Sequence, residues 1–271
     1  MQERAFSFLR TNRRPEKPRT RGVTEIRGPY YSVVGPRYLS DVMETAGDYA
    51  DILKFAGGSF NLLPERSLRD LIEIAHQHDV KVSTGGFLEH VLTQGPDAVD
   101  AYLQECRRVG FDIVEISTGF ITMSIDDILR LVAKVASLGL LPKPEVGVQF
   151  GAGGTTSADE LASEGVTDPA RAIAIAKRCL DEGAYMIMIE SEGITESVRT
   201  PRTDIAQRFA AELGTERVMF EAADPEVFAW YIKNYGPEVN LFVDHSQIVQ
   251  LEALRQGLWG TKSLWGRVLT Y

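Results

Sequence analysis

YMIMIE (Tyr185–Glu190) is an apolar run of strand length that ends in a carboxylate, and helix-like segments flank it on both sides. The same unit recurs from Gly22 onward. Its earlier copies are GVTEIR (Gly22–Arg27), ADILKF (Ala50–Phe55), DVKVST (Asp79–Thr84), DIVEIS (Asp112–Ser117) and KPEVGVQF (Lys143–Phe150). RVMFEA (Arg217–Ala222) and VNLFVD (Val239–Asp244) follow it. Eight strand–helix units predict an α/β chain folded as a single (β/α)8 TIM barrel, whose active site lies at the strand C-terminal ends. Arg27, Lys54, Glu115, Glu145, Glu190, Glu221 and Asp244 fall at or near those ends. Barrel interiors favour apolar layers, so this much charge at one end points to chemistry.

The bounds agree. The 271 residues match the roughly 250 of one such barrel. A hydrophobic share of 44% and a charged share of 25% are those of an ordinary globular chain. A net charge of −9 argues against a nucleic-acid surface, which needs a basic field. No apolar run approaches the ~18 residues of a membrane span, so no membrane partner is expected. Cys106 and Cys179 both read as buried helix positions, hence as inert thiols of a reducing, cytoplasmic compartment.

Residues 1–21 form a basic arm with Arg4, Arg10, Arg13, Arg14, Lys17, Arg19 and Arg21. Arg-rich, acid-poor leaders can be transit peptides, but Glu3, Glu16, Pro15 and Pro18 spoil an amphipathic helix. An arm lying across the barrel bottom is the preferred reading, with residues 22–271 as the barrel. Helices are expected over Pro64–Gln77, Asp97–Val109, Ile125–Leu138, Ala170–Glu182, Asp204–Leu213, Pro225–Asn234 and Gln247–Gln256. Ser124 reads as one N-cap, and Asp168 as another with Pro169 at the first helical position. The connection Gly151–Thr167 is far longer than the ~2–6 residues usual in such folds, and is expected to act as a lid. Trp259, Leu264 and Trp265 near the C-terminus are expected to pack on the barrel or on a neighbouring subunit, and a homo-oligomer is expected.

Lys54 leads into Gly57, Gly58 and Ser59, where tandem glycines let backbone N–H groups approach an anion beside a lysine. Gly85–Gly86 repeats the arrangement one strand later. Four glutamates from adjacent strands (Glu115, Glu145, Glu190 and Glu221) would repel one another in a low-dielectric mouth unless a cation were present. Mg2+ is the natural expectation; structural ion pairs with Lys54, Arg27 or Arg217 are the alternative. Glu25, Glu192 and Asp224 are weaker candidates. In VDHSQ (Val243–Gln247), Asp244 or Ser246 can cap the last helix and its N-terminus can take an anion. His245 there is a candidate acid or base, or a histidine bonded to a neighbouring loop.

The motifs RTRGVTEIR, GDYADILKFAGGS, VKVSTGGFLEH, GFDIVEIS, PEVGV, GAYMIMIES, VMFEA and NLFVDHSQIVQLEALRQG run in the order found in the phosphosulfolactate synthase family, which the chain resembles from about Thr20 to Gly257. The resemblance is closer still to the branch containing the plant heat-stress-associated protein, through RPEKPR, the KF-GGS turn and NLFVDHSQ. It implies a barrel and, for the family's enzymes, Mg2+-dependent addition of sulfite to phosphoenolpyruvate. By resemblance, Lys54 would take the substrate anion or transfer a proton, and Glu115, Glu145, Glu190 and Glu221 would serve metal binding and orientation. Together with the reading of the residues themselves, Lys54, Glu145 and His245 are the catalytic candidates and Glu115, Glu190 and Glu221 the metal candidates. Arg27, Gly57, Gly58, Ser59, Asp244 and Ser246 would bind the substrate.

Departures from the synthases touch the same ends. Their LDKG-like turn after strand one becomes Ile26-Arg27-Gly28, and EISDGS becomes EISTGF (Glu115–Phe120). Their VGKK becomes Val146-Gly147-Val148-Gln149, and EGRESG becomes Glu190-Ser191-Glu192-Gly193. The last two changes remove three positive charges, and Arg27 returns one. Two readings follow: a synthase-like lyase acting on a small, less charged acid, or a non-catalytic barrel that binds a protein partner in the stress response.

Overall fold

The computed structural model describes residues 5–258 and 264–271. Arg4, Glu3 and Trp259, named above, lie outside the described residues. Eight parallel strands close into a barrel: β1 (Thr24–Arg27), β2 (Ile52–Lys54), β3 (Lys81–Ser83), β4 (Ile113–Ile116), β5 (Leu141–Val146), β6 (Ile187–Ile189), β7 (Val218–Glu221) and β8 (Asn240–Asp244). Each pairs with the next, and β8 pairs with β1. Arg27 stands opposite both Lys54 and Asp244, and Glu115 stands opposite Lys143.

Outside the sheet the helices bury one stripe each. Helix Ile125–Ser137 presents Ile128, Leu131, Val132 and Val135 at the spacing of one helical face, each burial contributing about 1.5–3 kcal/mol. Ser124 caps it, accepting from the Asp127 N–H at 3.1 Å. Inside the barrel, Val23, Ile52, Ile113, Met186, Met188, Met219 and Phe242 make a separate apolar layer.

Three expectations move. β5 begins at Leu141 and ends at Val146, four residues short of Phe150; Pro142 and Pro144 lack N–H donors and blur its start. Helix Ala170–Asp181 starts where expected and ends one residue early, but Pro169 is its N-cap in place of Asp168, whose carboxylate accepts from the Ala170 N–H at 3.0 Å. The connection 151–167 contains a helix, Ala158–Ser163, which the reciprocal Ser157–Glu160 capping box nucleates.

Residues 12–21 cross the barrel end opposite the strand C-termini. Lys17 donates to the carbonyls of Gly47 (2.7 Å) and His78 (2.9 Å), and Arg19 pairs with Asp51 at 2.9 Å. Leu264 is buried and Trp265 exposed. Cys106 and Cys179 are free and buried, and burial pushes their thiols up to about 12 and about 11. Among the described residues no helix is long and apolar enough to cross a membrane.

Candidate active site

Strand alternation turns Leu141, Lys143 and Glu145 to one face of β5, and Glu25 and Arg27 to one face of β1. From these faces an alternating line of charge climbs the barrel. Lys143 Nζ donates to both Glu25 oxygens at 2.6 Å and lies 3.0 Å from Glu115 Oε2. Glu115 Oε1 is 2.8 Å from Lys54 Nζ, which lies 3.7 Å from Glu145 Oε2 and 4.5 Å from the centre of the Phe242 ring. The side chains of Glu25, Lys143 and Glu115 are 0% exposed, so each charge depends on its neighbours.

Those neighbours set the protonation states. Burial alone would lower the Lys54 ammonium, but Glu115, Glu145, Glu221 and Glu25 together outweigh it and hold it above the ordinary lysine value. Burial would raise Glu115, but Lys54 and Lys143 pull it down to about 2. Glu145 goes the other way: burial and the charge of Glu115 push it up to about 8, with Lys54 opposing. Burial, Glu221 and Glu145 lift Glu190 well above the carboxylate range. Burial raises Glu221 as well, even though Lys54 and Arg27 oppose it.

These groups line a cavity of about 630 Å3 at the strand C-terminal ends. Seven glutamates face it (Glu89, Glu115, Glu145, Glu190, Glu192, Glu196 and Glu221), against Arg27 and Lys54 as its permanent cations. Both cations are already engaged. Arg27 donates to Glu221 at 2.9 Å, and its guanidinium lies between the rings of Tyr31 and Phe242, 4.9 and 5.0 Å from their centres. Glu192 accepts from the N–H groups of Gly153 (2.8 Å), Gly154 (3.3 Å) and Thr156 (3.3 Å), holding the start of the long connection at the cavity wall. Glu89 accepts from Ser117 Oγ at 3.1 Å and from the Phe120 N–H.

The structure therefore brings Arg27, Lys54, Gly57, Glu115, Glu145, Glu190 and Glu221 together and leaves five expected residues off the cavity wall. Gly58 lies beneath the Phe87 ring, where a Cβ would collide, and Ser59 Oγ is buried without a hydrogen-bond partner. Asp244 folds back to accept from the Ser246 N–H (2.9 Å) and hydroxyl (2.6 Å), consuming the donors an anion would need. The turn it caps is only three residues long. His245 is held between the Arg27 carbonyl and the Tyr38 hydroxyl, 3.0 Å from each, as a histidine bonded to neighbouring elements. Of the second glycine pair, Gly86 lines the cavity while Gly85 packs on the Phe55 carbonyl with φ +62°. Asp224 caps helix Pro225–Tyr235 instead.

Sequence reasoning missed Lys143 and Glu89. The two-residue spacing of Lys143 and Glu145 was the available signal, since it puts both on one strand face. Among the described residues, no group of three or more His, Cys, Asp or Glu side chains is arranged to hold a metal ion. Glu115 is engaged by two lysines and Glu221 by Arg27. Glu190 has no cation within ion-pairing distance among the described residues and sits buried beside other carboxylates. A hard divalent cation with oxygen ligands would relieve that repulsion, and Mg2+ commonly takes only one or two carboxylates with water and substrate oxygens completing its shell.

The sequence model of the family described as (2R)-phospho-3-sulfolactate synthase (ComA) matches residues 12–261. Protein HEAT-STRESS-ASSOCIATED 32 of Arabidopsis thaliana is 41% identical over 259 residues, 92% of this chain and 91% of its own. A phosphosulfolactate synthase of Methanothermobacter thermautotrophicus is 28% identical over 263 residues, 94% of this chain and 96% of its own. Among solved structures, the carboxyl transferase domain of Rhizobium etli pyruvate carboxylase superposes with a TM-score of 0.58 at 12% identity, covering 83% of this chain and 40% of that one. That likeness is one of fold.

Proposed function

The chain belongs to the (2R)-phospho-3-sulfolactate synthase family, and from that membership we propose a lyase that adds a nucleophile to phosphoenolpyruvate or a similar enol acid. The observation that carries the reading is the Lys54–Glu145 contact of 3.7 Å at the cavity, with Glu145 poised at about 8. In such an addition the nucleophile's lone pair forms the new bond at the methylene carbon. The double-bond electrons move into the carboxylate, which becomes an aci-carboxylate, and C2 then takes a proton. Glu145, protonated at neutral pH, is the donor to C2. Lys54, held as an ammonium, offsets the charge that builds on the substrate carboxylate. Arg27, clamped by two rings and Glu221, orients the acid. Glu190 would hold Mg2+, with water and substrate oxygens completing its shell, and the ion when bound would stabilise negative charge on substrate oxygens.

The excess of glutamates over cations at the wall supports a nucleophile less charged than sulfite. Turnover with sulfite, phosphoenolpyruvate and Mg2+ is expected to be slow or absent, and efficient phosphosulfolactate formation would refute the altered-substrate reading. The second reading is a non-catalytic barrel that binds a protein partner. Exposed Tyr30, Tyr31 and Phe120 at the cavity and Val33 nearby in sequence favour it. Thermal shift with Mg2+ and small phosphorylated acids separates the two: the lyase is stabilised by them, the binder is not.

A further inference from the structure

The charges at the mouth do not close among themselves. Lys54 pairs with Glu115, Arg27 pairs with Glu221, and Glu145 keeps its proton at neutral pH. Even with a divalent cation on Glu190, the wall carboxylates Glu89, Glu192 and Glu196 have no cation within ion-pairing distance among the described residues. An enol phosphate with its own carboxylate adds further negative charge to the same space. A second anion would be repelled there, whereas a cation is drawn in.

Of those three carboxylates, Glu192 is the one with a free oxygen deep in the wall. Both oxygens of Glu89 accept, from Ser117 Oγ and from the Phe120 N–H. Glu196 stands at the exposed rim and accepts from Ser191 Oγ at 2.8 Å. Glu192 is only 4% exposed, and its Oε2 takes the three loop amides of Gly153, Gly154 and Thr156. Its Oε1 has no hydrogen-bond partner among the described residues, although the residue lines the cavity. A carboxylate oxygen so placed, without a donor, marks the place of a ligand. Two glycines bring an aromatic ring to the same wall. A Cβ on Gly154 would stand 2.5 Å from the Phe120 ring, and one on Gly153 would stand 2.7 Å from Glu190 Oε2. The half-exposed Phe120 ring therefore flanks the loop that Glu192 holds.

We propose, resting on the lyase reading above, that the nucleophile is a primary amine, bound as its ammonium at Glu192 Oε1 beside the Phe120 ring. The carboxylate accepts from the ammonium, and the ring offers its face to the charge and to the amine's apolar substituent. Glu192 takes one proton, which frees the nitrogen lone pair to form a C–N bond at the methylene carbon. The double-bond electrons move into the substrate carboxylate, and Glu145 delivers its proton to C2. The product is a 3-amino-2-phosphooxypropanoate with its phosphate ester intact. The proton left on Glu192 restores Glu145 through water, so nothing is oxidised or reduced.

The test separates binding from turnover. The full chain with Mg2+ is titrated calorimetrically at neutral pH with butylammonium or benzylammonium chloride, and with sodium butyrate as control. Both ammonium ions are expected to bind saturably, and butyrate is not. Glu192→Gln keeps an acceptor for the loop amides and is expected to weaken ammonium binding by about 10-fold or more. With phosphoenolpyruvate added, the C–N bonded phosphate ester is expected to appear by phosphorus NMR. Ammonium binding no weaker in Glu192→Gln, or butyrate binding as tight as butylammonium binding, overturns the inference. So does consumption of phosphoenolpyruvate with a thiol or sulfite but with neither amine. If the ammonium ions bind at Glu192 yet no nucleophile consumes phosphoenolpyruvate, the lyase reading falls and the amine's role as nucleophile falls with it, while the cation site stands.

Discussion

At Glu145, burial and the negative charge of Glu115 act in the same direction, and Lys54 at 3.7 Å only partly opposes them. The carboxyl therefore keeps its proton to about pH 8 in the native state, whereas in the unfolded chain it ionises near 4.5. Below pH 4.5 both states are protonated; between 4.5 and about 8 the unfolded state alone gives up the proton, so stability falls as pH rises through that window. Glu145→Gln is expected to flatten this slope and to stabilise the protein at pH 8 by about 2–4 kcal/mol, read from urea unfolding at pH 5 and 8. Glu115 has the opposite sign: its contribution is present above 4.5 and is lost as pH falls toward about 2. Gly57 gives a conformational prediction. Its φ is +58° and a Cβ would run into the Tyr30 ring, so Gly57→Ala is expected to cost about 1–3 kcal/mol, measured the same way.

Among the elements, the connection after β5 shows what its sequence could and could not disclose. Its length marked it as unusual, but the Ala158–Ser163 helix went unread because six residues are too few for a periodic signal. Its anchoring by Glu192 was equally illegible, since no sequence pattern links Gly153 to a carboxylate 39 residues away. The strand ends were legible for a simple reason: alternation on a strand follows from local geometry, so Lys54, Glu115 and Glu145 could be placed without knowing the register. His245 was not legible, because its direction depends on Tyr38, 207 residues distant. Glu192→Ala removes the acceptor of three loop amides. Hydrogen exchange at Gly153, Gly154 and Thr156 is expected to accelerate by about 10-fold or more, a loss of about 1.4 kcal/mol of local protection, while exchange in β7 and β8 stays unchanged.

For the molecule as a whole, carboxylate repulsion at the mouth predicts a coupling between Mg2+ and pH. Ionising Glu190 beside Glu221 and Glu145 is unfavourable without a cation, so Mg2+ should bind more tightly as pH rises and should release protons on binding. Calorimetry in buffers of different ionisation enthalpy measures that release. Glu190→Gln is expected to weaken Mg2+ binding by about 10-fold or more, and equal binding by both proteins would remove the metal from Glu190.

The Glu25–Lys143 pair joins strands on opposite sides of the barrel with both side chains 0% exposed. Lys143→Met strands Glu25 in a dry interior and is expected to cost about 3–5 kcal/mol, and Glu25→Met leaves Lys143 to share Glu115 with Lys54; the double change to methionine should recover only part of the Lys143→Met loss, because Glu115 then keeps Lys54 alone. The pair thus behaves as an evolutionary ratchet. A lineage that carries it cannot shed Lys143 through one viable substitution, even if the charge no longer serves any reaction. Persistence of both residues among descendants would then record the height of the barrier between two sequences rather than continued selection for catalysis.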